Sequence, residues 1–69
     1  MLINRSGNRF VASFDAAEML RKVIDNTENT KLVFESTEEN TTNAAMLIDG
    51  DADSVMKSVI NMGIPCISR

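Results

Sequence analysis

Three aspartates that alternate in one short segment, Asp49, Asp51 and Asp53, are the densest set of candidate ligands in the chain. Alternating carboxylates at positions 1, 3 and 5 open a calcium-binding EF-hand loop, which then requires Gly at position 6 and Glu at position 12. Those positions are occupied by Ser54 and Ile60, so the EF-hand pattern fails. Because Asp is favoured at the start of a helix, we predict that this segment caps one.

Cys66 is the only cysteine, and the chain has no histidine. A reactive thiol needs a neighbouring base, a cation or a helix N-terminus to lower its pKa, and Arg69 is the nearest basic residue in sequence. We therefore expect Cys66 to be a small apolar residue of the core. Without histidine the commonest general base is missing, and neither a zinc site nor an internal disulfide can form. The sequence predicts no catalytic, cofactor-binding or metal-binding residues, and it predicts that the protein is not an enzyme.

Charge and hydropathy limit the kinds of partner. Ten acidic and seven basic residues give a net charge of -3, and only Arg21 and Lys22 are adjacent basic residues. Binding to nucleic acid requires clustered Lys and Arg, so direct contact with nucleic acid or with an anionic membrane is disfavoured. No apolar segment approaches the roughly 20 residues that span a bilayer, no secretion signal is recognisable, and a single cysteine fits a reducing compartment. These features predict a soluble, cytoplasmic protein.

The 69 residues are enough for one small domain, residues 1–69. A chain of this size buries only roughly 60% of the surface that its unfolded form exposes, so its core is marginal. Small domains compensate with disulfides, a metal or a partner subunit. Since the composition excludes the first two, we expect self-association or a protein partner.

An internal repeat of 36 residues determines the predicted elements. Residues 15–26 (DAAEMLRKVIDN) and residues 51–62 (DADSVMKSVINM) both place apolar residues at helical spacing. We expect the first helix to be capped by Asp15, with Phe14 and Met19 packed together as a hydrophobic staple. Each helical segment lies between two short apolar segments, which predicts strands at 10–14, 31–36, 44–48 and 64–68. In the second of these strands, Leu32 and Phe34 are expected on one face and Val33 and Glu35 on the other.

This order of elements predicts an α+β fold, a ferredoxin-like βαββαβ sandwich. Right-handed crossovers place both helices on one face of a four-stranded antiparallel sheet of strand order 4-1-3-2. Pro65 cannot donate a hydrogen bond to a neighbouring strand, so the strand at 64–68 belongs at a sheet edge. The turn residues Ser6, Gly7 and Asn8 favour a hairpin that adds residues 1–5 as an extra N-terminal edge strand, the alternative being a frayed tail.

The ferredoxin-like layout is shared by several binding modules. RNA-recognition motifs stack bases on aromatic residues of both central strands, but residues 44–48 contain no aromatic ring. Metal-transfer domains of this shape carry a Cys-x-x-Cys motif, which this chain lacks. ACT-like sensors bind effectors near the turn before the first helix, where this chain has Phe14 and Asp15 and no glycine. The similarity to these modules is limited to topology.

Three functions fit these constraints. The first is a non-enzymatic protein-interaction or regulatory module that self-associates and acts through the sheet face or through an edge formed by Ile64, Cys66 and Ile67. The second is an ACT-like dimer that senses a small-molecule effector. The third is an acidic inhibitor from a virus or mobile element that binds a nucleic-acid-processing enzyme through Glu35, Glu38 and Glu39. The polar segment 37–43 is either a passive connection or a contact loop.

Overall fold

A computed structural model of the protein describes residues 2–37 and 42–69. The described residues form five strands and two helices, which are β1 (Ile3–Ser6), β2 (Arg9–Ser13), α1 (Phe14–Asn26), β3 (Thr30–Thr37), β4 (Asn43–Gly50), α2 (Ala52–Asn61) and β5 (Cys66–Ser68). These strands make one sheet of order β3-β4-β2-β1-β5. The α+β class is therefore confirmed.

The predicted strand order is wrong because β1 lies inside the sheet. It pairs antiparallel with β2, where Asn4 is opposite Val11, and parallel with β5, where Ile3 is opposite Cys66. A strand has only two edges, and β4 already occupies the other edge of β2. The hairpin partner β1 therefore takes the position that the ferredoxin-like order assigns to the last strand. The additional N-terminal strand is present as predicted, but it is not an edge strand, and the sheet is mixed instead of antiparallel.

The β1–β2 hairpin is closed by Gly7 and Asn8. Gly7 has a φ of 59°, and a positive φ at the first turn residue is typical of a type II′ hairpin turn. The side-chain amide of Asn8 donates to the carbonyl oxygens of Ile48 and Gly50 at 3.0 and 3.3 Å, and the Ile48 N–H donates to the Asn8 carbonyl at 2.9 Å. The turn is thereby tied to the end of β4.

Helix α1 is capped by Ser13. The Ala16 N–H donates to the Ser13 hydroxyl oxygen at 3.4 Å, whereas Asp15 lies in the first helical turn. The predictions of an Asp15 cap and of a Phe14–Met19 staple are therefore wrong, since Phe14 is itself the first helical residue and is 45% exposed. The predicted apolar stripe of α1 is confirmed, and its buried members are Ala16, Ala17, Leu20, Val23 and Ile24.

Helix α2 begins as the sequence predicts. The N–H and the hydroxyl of Ser54 both donate to the Asp51 carboxylate, at 3.1 and 2.7 Å, and Gly63 follows the helix with a φ of 84°. Ile60, one of the apolar residues at helical spacing in segment 51–62, is 47% exposed, so the buried face of α2 is narrower than that spacing predicts. The buried residues of the helix are Ala52, Val55 and Val59.

Both helices cover the same face of the sheet. Helix α1 contacts β2, β3 and β4, and α2 contacts β5 and α1. The side chains that fill the space between the layers form one cluster, whose largest fully buried members are Ile3, Phe10, Leu20, Ile24, Met46, Val55 and Val59. Within residues 2–37 and 42–69, neither helix has the length and apolar character needed to cross a membrane.

Candidate interaction surface

The sheet face that points away from the helices is open in the described part of the chain. Residues that alternate with the core residues of β2 and β4, such as Val11 and Leu47, project from it. The strand registers place Ser6, Arg9, Leu47 and Phe34 in one row across the sheet and Asn4, Val11, Ala45 and Ser36 in the next. The first of these rows changes from polar residues at β1 and β2 to apolar residues at β4 and β3.

A β-bulge in β3 concentrates apolar side chains at one side of this open face. Leu32 is opposite Ile48 and Phe34 is opposite Leu47, so Val33 is an extra residue in β3. Two residues of a bulged strand oppose one residue of its partner, and Val33 and Phe34 therefore both oppose Leu47. Val33, Phe34 and Leu47 are 57%, 61% and 43% exposed. We call these three residues the apolar patch.

The bulge also explains why the predicted alternation along β3 is wrong. Leu32 packs on the core and Glu35 contacts α1, so these two residues share the helix-covered side, although the prediction put them on opposite faces. Phe34, predicted beside Leu32, lies on the open face instead. Strict alternation ends where an extra residue is inserted, and the consecutive apolar residues 32–34 are the only trace of the bulge in the sequence.

Glu35 forms a two-point ion pair with Arg21 of α1. The Arg21 Nε donates to the two carboxylate oxygens at 2.9 and 3.1 Å, and its Nη2 contacts the same carboxylate. These hydrogen bonds lower the pKa of Glu35 and raise that of Arg21. Of the predicted acidic contact surface, Glu35 is thus neutralised by a partner within the chain, and Glu38 and Glu39 lie outside the described residues.

The predicted interaction edge near the end of the chain is β5, which is an edge strand of three residues. Ile64 precedes this strand and is buried. Cys66 is half-buried next to the core, and this burial raises the pKa of its thiol, an effect that the positive charge of Arg5 opposes. Ile67 is 47% exposed. Of these three residues, only Ile67 is exposed.

An open depression of about 460 Å³ lies on the same sheet face, at β1 and β2. Arg5, Arg9 and Arg69 line it, but only Arg9 and Arg69 can offer their side chains there, because the Arg5 side chain lies on the helix-covered side in the row of Phe10. Arg5 is held in place, because its Nη1 donates to the Asp53 carboxylate at 2.6 Å and its Nε donates to the Gly7 carbonyl at 2.8 Å. Arg9 and Arg69 are distant in sequence, so no local charge pattern could have predicted that they meet.

The three alternating aspartates do not form one site. Asp51 caps α2, and hydrogen bonds from Ser54 lower the pKa of Asp51. Asp53 pairs with Arg5, and Asp49 is opposite Lys31 in the β3–β4 ladder. Within the described ranges, no group of three His, Cys, Asp or Glu side chains is arranged to hold a metal ion.

The open face therefore combines an apolar patch beside the β3 edge with an arginine-lined depression near β1. Comparison of the chain with protein-family models, curated proteins and solved structures found no match.

Proposed function

We propose that this chain is a non-enzymatic protein-interaction module that binds its partner through the open sheet face at the β3 edge. The observation that supports it is the apolar patch, whose three side chains adjoin one another and are each more than two-fifths exposed. Complete burial of one such side chain stabilises a complex by roughly 1.5–3 kcal/mol. A contiguous exposed apolar surface beside an unpaired strand edge is typical of a binding site.

The patch is not needed to complete the core. Phe10 is fully buried and fills the space between the sheet and the helices, whereas Phe34 leaves 61% of its surface exposed. An exposed aromatic side chain with an apolar neighbourhood is the usual anchor of a protein interface, because it offers a large contact area for little loss of conformational entropy. Phe34 is therefore the residue expected to contribute most to binding.

Two phenylalanine substitutions test this function. Phe34→Ala removes the centre of the patch, and Phe14→Ala removes a comparably exposed ring from the start of α1. We expect tagged Phe34→Ala protein to lose the partner that the unmodified chain captures from an extract of the native cells, and Phe14→Ala protein to retain it. Circular dichroism establishes that both variants are folded. Equal capture by all three proteins would contradict a role for the patch.

The depression supports a second candidate, the binding of a small anionic effector. Guanidinium groups bind carboxylates and phosphates through paired hydrogen bonds, and Arg9 and Arg69 line this depression together with Asn4 and Ser6. A ligand that binds only the folded state raises the melting temperature. We expect a panel of carboxylate and phosphate metabolites to contain a compound that raises the melting temperature, and Arg69→Gln to abolish the shift.

The hypothesis of an acidic inhibitor stays a prediction that depends on Glu38 and Glu39.

A further inference from the structure

We propose that the partner of the β3 edge is a second copy of this chain, related by a twofold axis that passes between Val33 and Phe34. The inference rests on the proposed function, since it names the partner of the same surface. Strand β3 has eight residues and lies at an edge of the sheet, and its two central residues belong to the apolar patch. An edge of this kind is a template for pairing with another strand.

The residues of β3 are distributed between the two faces in a palindromic order. Four of them lie on the helix-covered side. The Thr30 hydroxyl donates to the Ile24 carbonyl of α1, and Glu35 binds Arg21 of the same helix. Leu32 packs on the core, and Thr37 is opposite the buried Ala44. The register places Lys31, Phe34 and Ser36 on the open side, and Val33 joins them because it follows Leu32, whose side chain points to the helices. Counted inward from Thr30 or from Thr37 to the centre of the strand, the four side chains lie in turn on the helix side, the open side, the helix side and the open side.

This order results from the bulge. In a regular strand of eight residues the first and last side chains point to opposite faces, so two such strands cannot overlap completely with their faces matched. The extra residue Val33 removes that mismatch. When two copies of β3 run antiparallel over their full length, Thr30 is opposite Thr37, Lys31 is opposite Ser36, Leu32 is opposite Glu35, and Val33 is opposite Phe34.

Full overlap is also the register that the side chains favour. Opposed residues of antiparallel strands lie on the same face and contact each other. A shift by one or two positions places Val33 or Phe34 opposite a residue of the helix-covered side. In the matched register, the two apolar patches meet across the axis on the open face. No like charges are opposed, because Lys31 is opposite Ser36 and Glu35 is opposite Leu32.

The other sheet edge is less suited to this pairing. Strand β5 has three residues and follows Pro65, which has no N–H to donate. A bulge often protects an edge strand by turning it away from other strands. In β3, however, the bulge exposes two apolar side chains at the centre of the strand, and a protecting device would place charged residues there.

Sedimentation equilibrium of matched variants tests which edge is used. We expect the apparent mass of the unmodified chain to approach twice 7.6 kDa as its concentration rises. Phe34→Glu should remain monomeric, and Ile67→Glu at the β5 edge should dimerise like the unmodified chain. Dimers that persist in Phe34→Glu but dissociate in Ile67→Glu would overturn the inference in favour of the β5 edge. An unmodified chain that stays monomeric up to millimolar concentration would overturn it as well. Loss of a captured protein in Phe34→Ala would in that case still support the proposed function.

Disulfide trapping tests the register. In a Cys66→Ser background, Lys31→Cys and Ser36→Cys introduced together should yield a covalent dimer on mild oxidation. The reason is that position 31 of one copy is opposite position 36 of the second copy in the proposed register. The two cysteines of one chain are separated by about 17 Å along the strand, and a disulfide requires Cα atoms within about 7 Å. Ser36→Cys alone should therefore stay monomeric on a non-reducing gel. Equal covalent dimer from the single and double variants would contradict the register.

Discussion

Gly50 at the end of β4 passes so close to the backbone of Asn29 that a Cβ atom at position 50 would lie 1.7 Å from the Asn29 carbonyl oxygen. Both residues have a positive φ, 101° for Gly50 and 62° for Asn29. The Asp51 N–H donates to the same carbonyl oxygen at 3.2 Å. The turn that follows α1 is therefore in direct contact with the segment that begins α2, and this contact joins the two halves of the repeat.

Substitution of Gly50 by alanine should destabilise the fold severely. The new methyl group clashes with backbone atoms, which cannot move as a side chain can, and the positive φ adds a penalty of its own. We expect Gly50→Ala to lower the free energy of unfolding by at least about 3 kcal/mol, measured by urea denaturation. Gly63→Ala is the matched control, because Gly63 also has a positive φ but no atom within 4 Å of the added Cβ. Its cost should be about 1 kcal/mol, and equal losses at both positions would contradict the close approach.

The Arg21–Glu35 pair should make stability depend on pH in the acidic range. Because the folded state lowers the Glu35 pKa below its ordinary value of 4.5, the pair stabilises the protein above that value. The contribution is lost as the pH falls through the lowered pKa of the folded state. Both side chains are partly exposed, so Glu35→Gln should cost only about 0.5–1 kcal/mol at neutral pH. Denaturation midpoints of the two proteins should converge in strong acid, and a difference that persists there would show that the effect is not ionic.

A glutamate outside this pair provides the control. Glu28 lies in the turn between α1 and β3 and takes part in neither the Arg5–Asp53 nor the Arg21–Glu35 ion pair. Glu28→Gln should leave the denaturation midpoint within about 0.5 kcal/mol of the unmodified protein at neutral pH.

The bulge predicts which residue of β3 can be deleted. Without Val33, the flanking residues Leu32 and Phe34 keep their partners Ile48 and Leu47 in a regular ladder. We expect the deletion to change the free energy of unfolding by less than about 1 kcal/mol. Deletion of Glu35 should be far more damaging, because it moves every later residue of the strand to the other face. Thermal unfolding followed by circular dichroism distinguishes the two, and similar losses for both deletions would rule out a bulge at Val33.

The helices could be predicted from the sequence because their signals are local. Leu20, Val23 and Ile24 recur at helical spacing and are all buried, and the Asp51 cap depends only on the residue three positions later. The place of β1 in the sheet is different, because it depends on which edge of β2 is available. The hairpin turn predicted the strand, but the competition between β1 and β5 for that edge involves residues at both ends of the chain.

The candidate surface was hardly predictable for a related reason. Phe34 joins Leu47 on the open face only because Val33 bulges, and an alternating pattern cannot show where an extra residue enters the ladder. The arginine-lined depression requires Arg69 near one end of the sequence to meet Arg9 near the other. Proximity of this kind is set by the strand order, which differs from the predicted one.

The cap of α1 offers a test at single-residue resolution. The Ser13 hydroxyl accepts the Ala16 N–H, while Asp15 interacts with the helix terminus only through its charge. We expect Ser13→Ala to lower the free energy of unfolding by about 1 kcal/mol and Asp15→Asn by only about 0.3 kcal/mol, a difference that should shrink further in salt. Urea denaturation measures both. A larger loss for Asp15→Asn would restore the cap that the sequence pattern suggested.

The thiol of Cys66 should be slow to react. It is half-buried opposite Ile3 in the β1–β5 ladder, and burial raises its pKa above the ordinary value of 9.0. Because the thiolate is the nucleophile, alkylation by iodoacetamide at neutral pH should be several-fold slower in the native protein than in denaturant. Its rate should keep rising above pH 9.0, with Cys66→Ser as the unreactive control. Because the thiol pKa is higher in the folded state than in the unfolded state, this group does not change the stability of the fold below the unfolded-state pKa. As the pH rises above the unfolded-state pKa and through the folded-state pKa, the free energy of unfolding should decline. Native protein that is alkylated as fast as the unfolded chain would mean that β5 leaves the sheet edge and exposes the thiol.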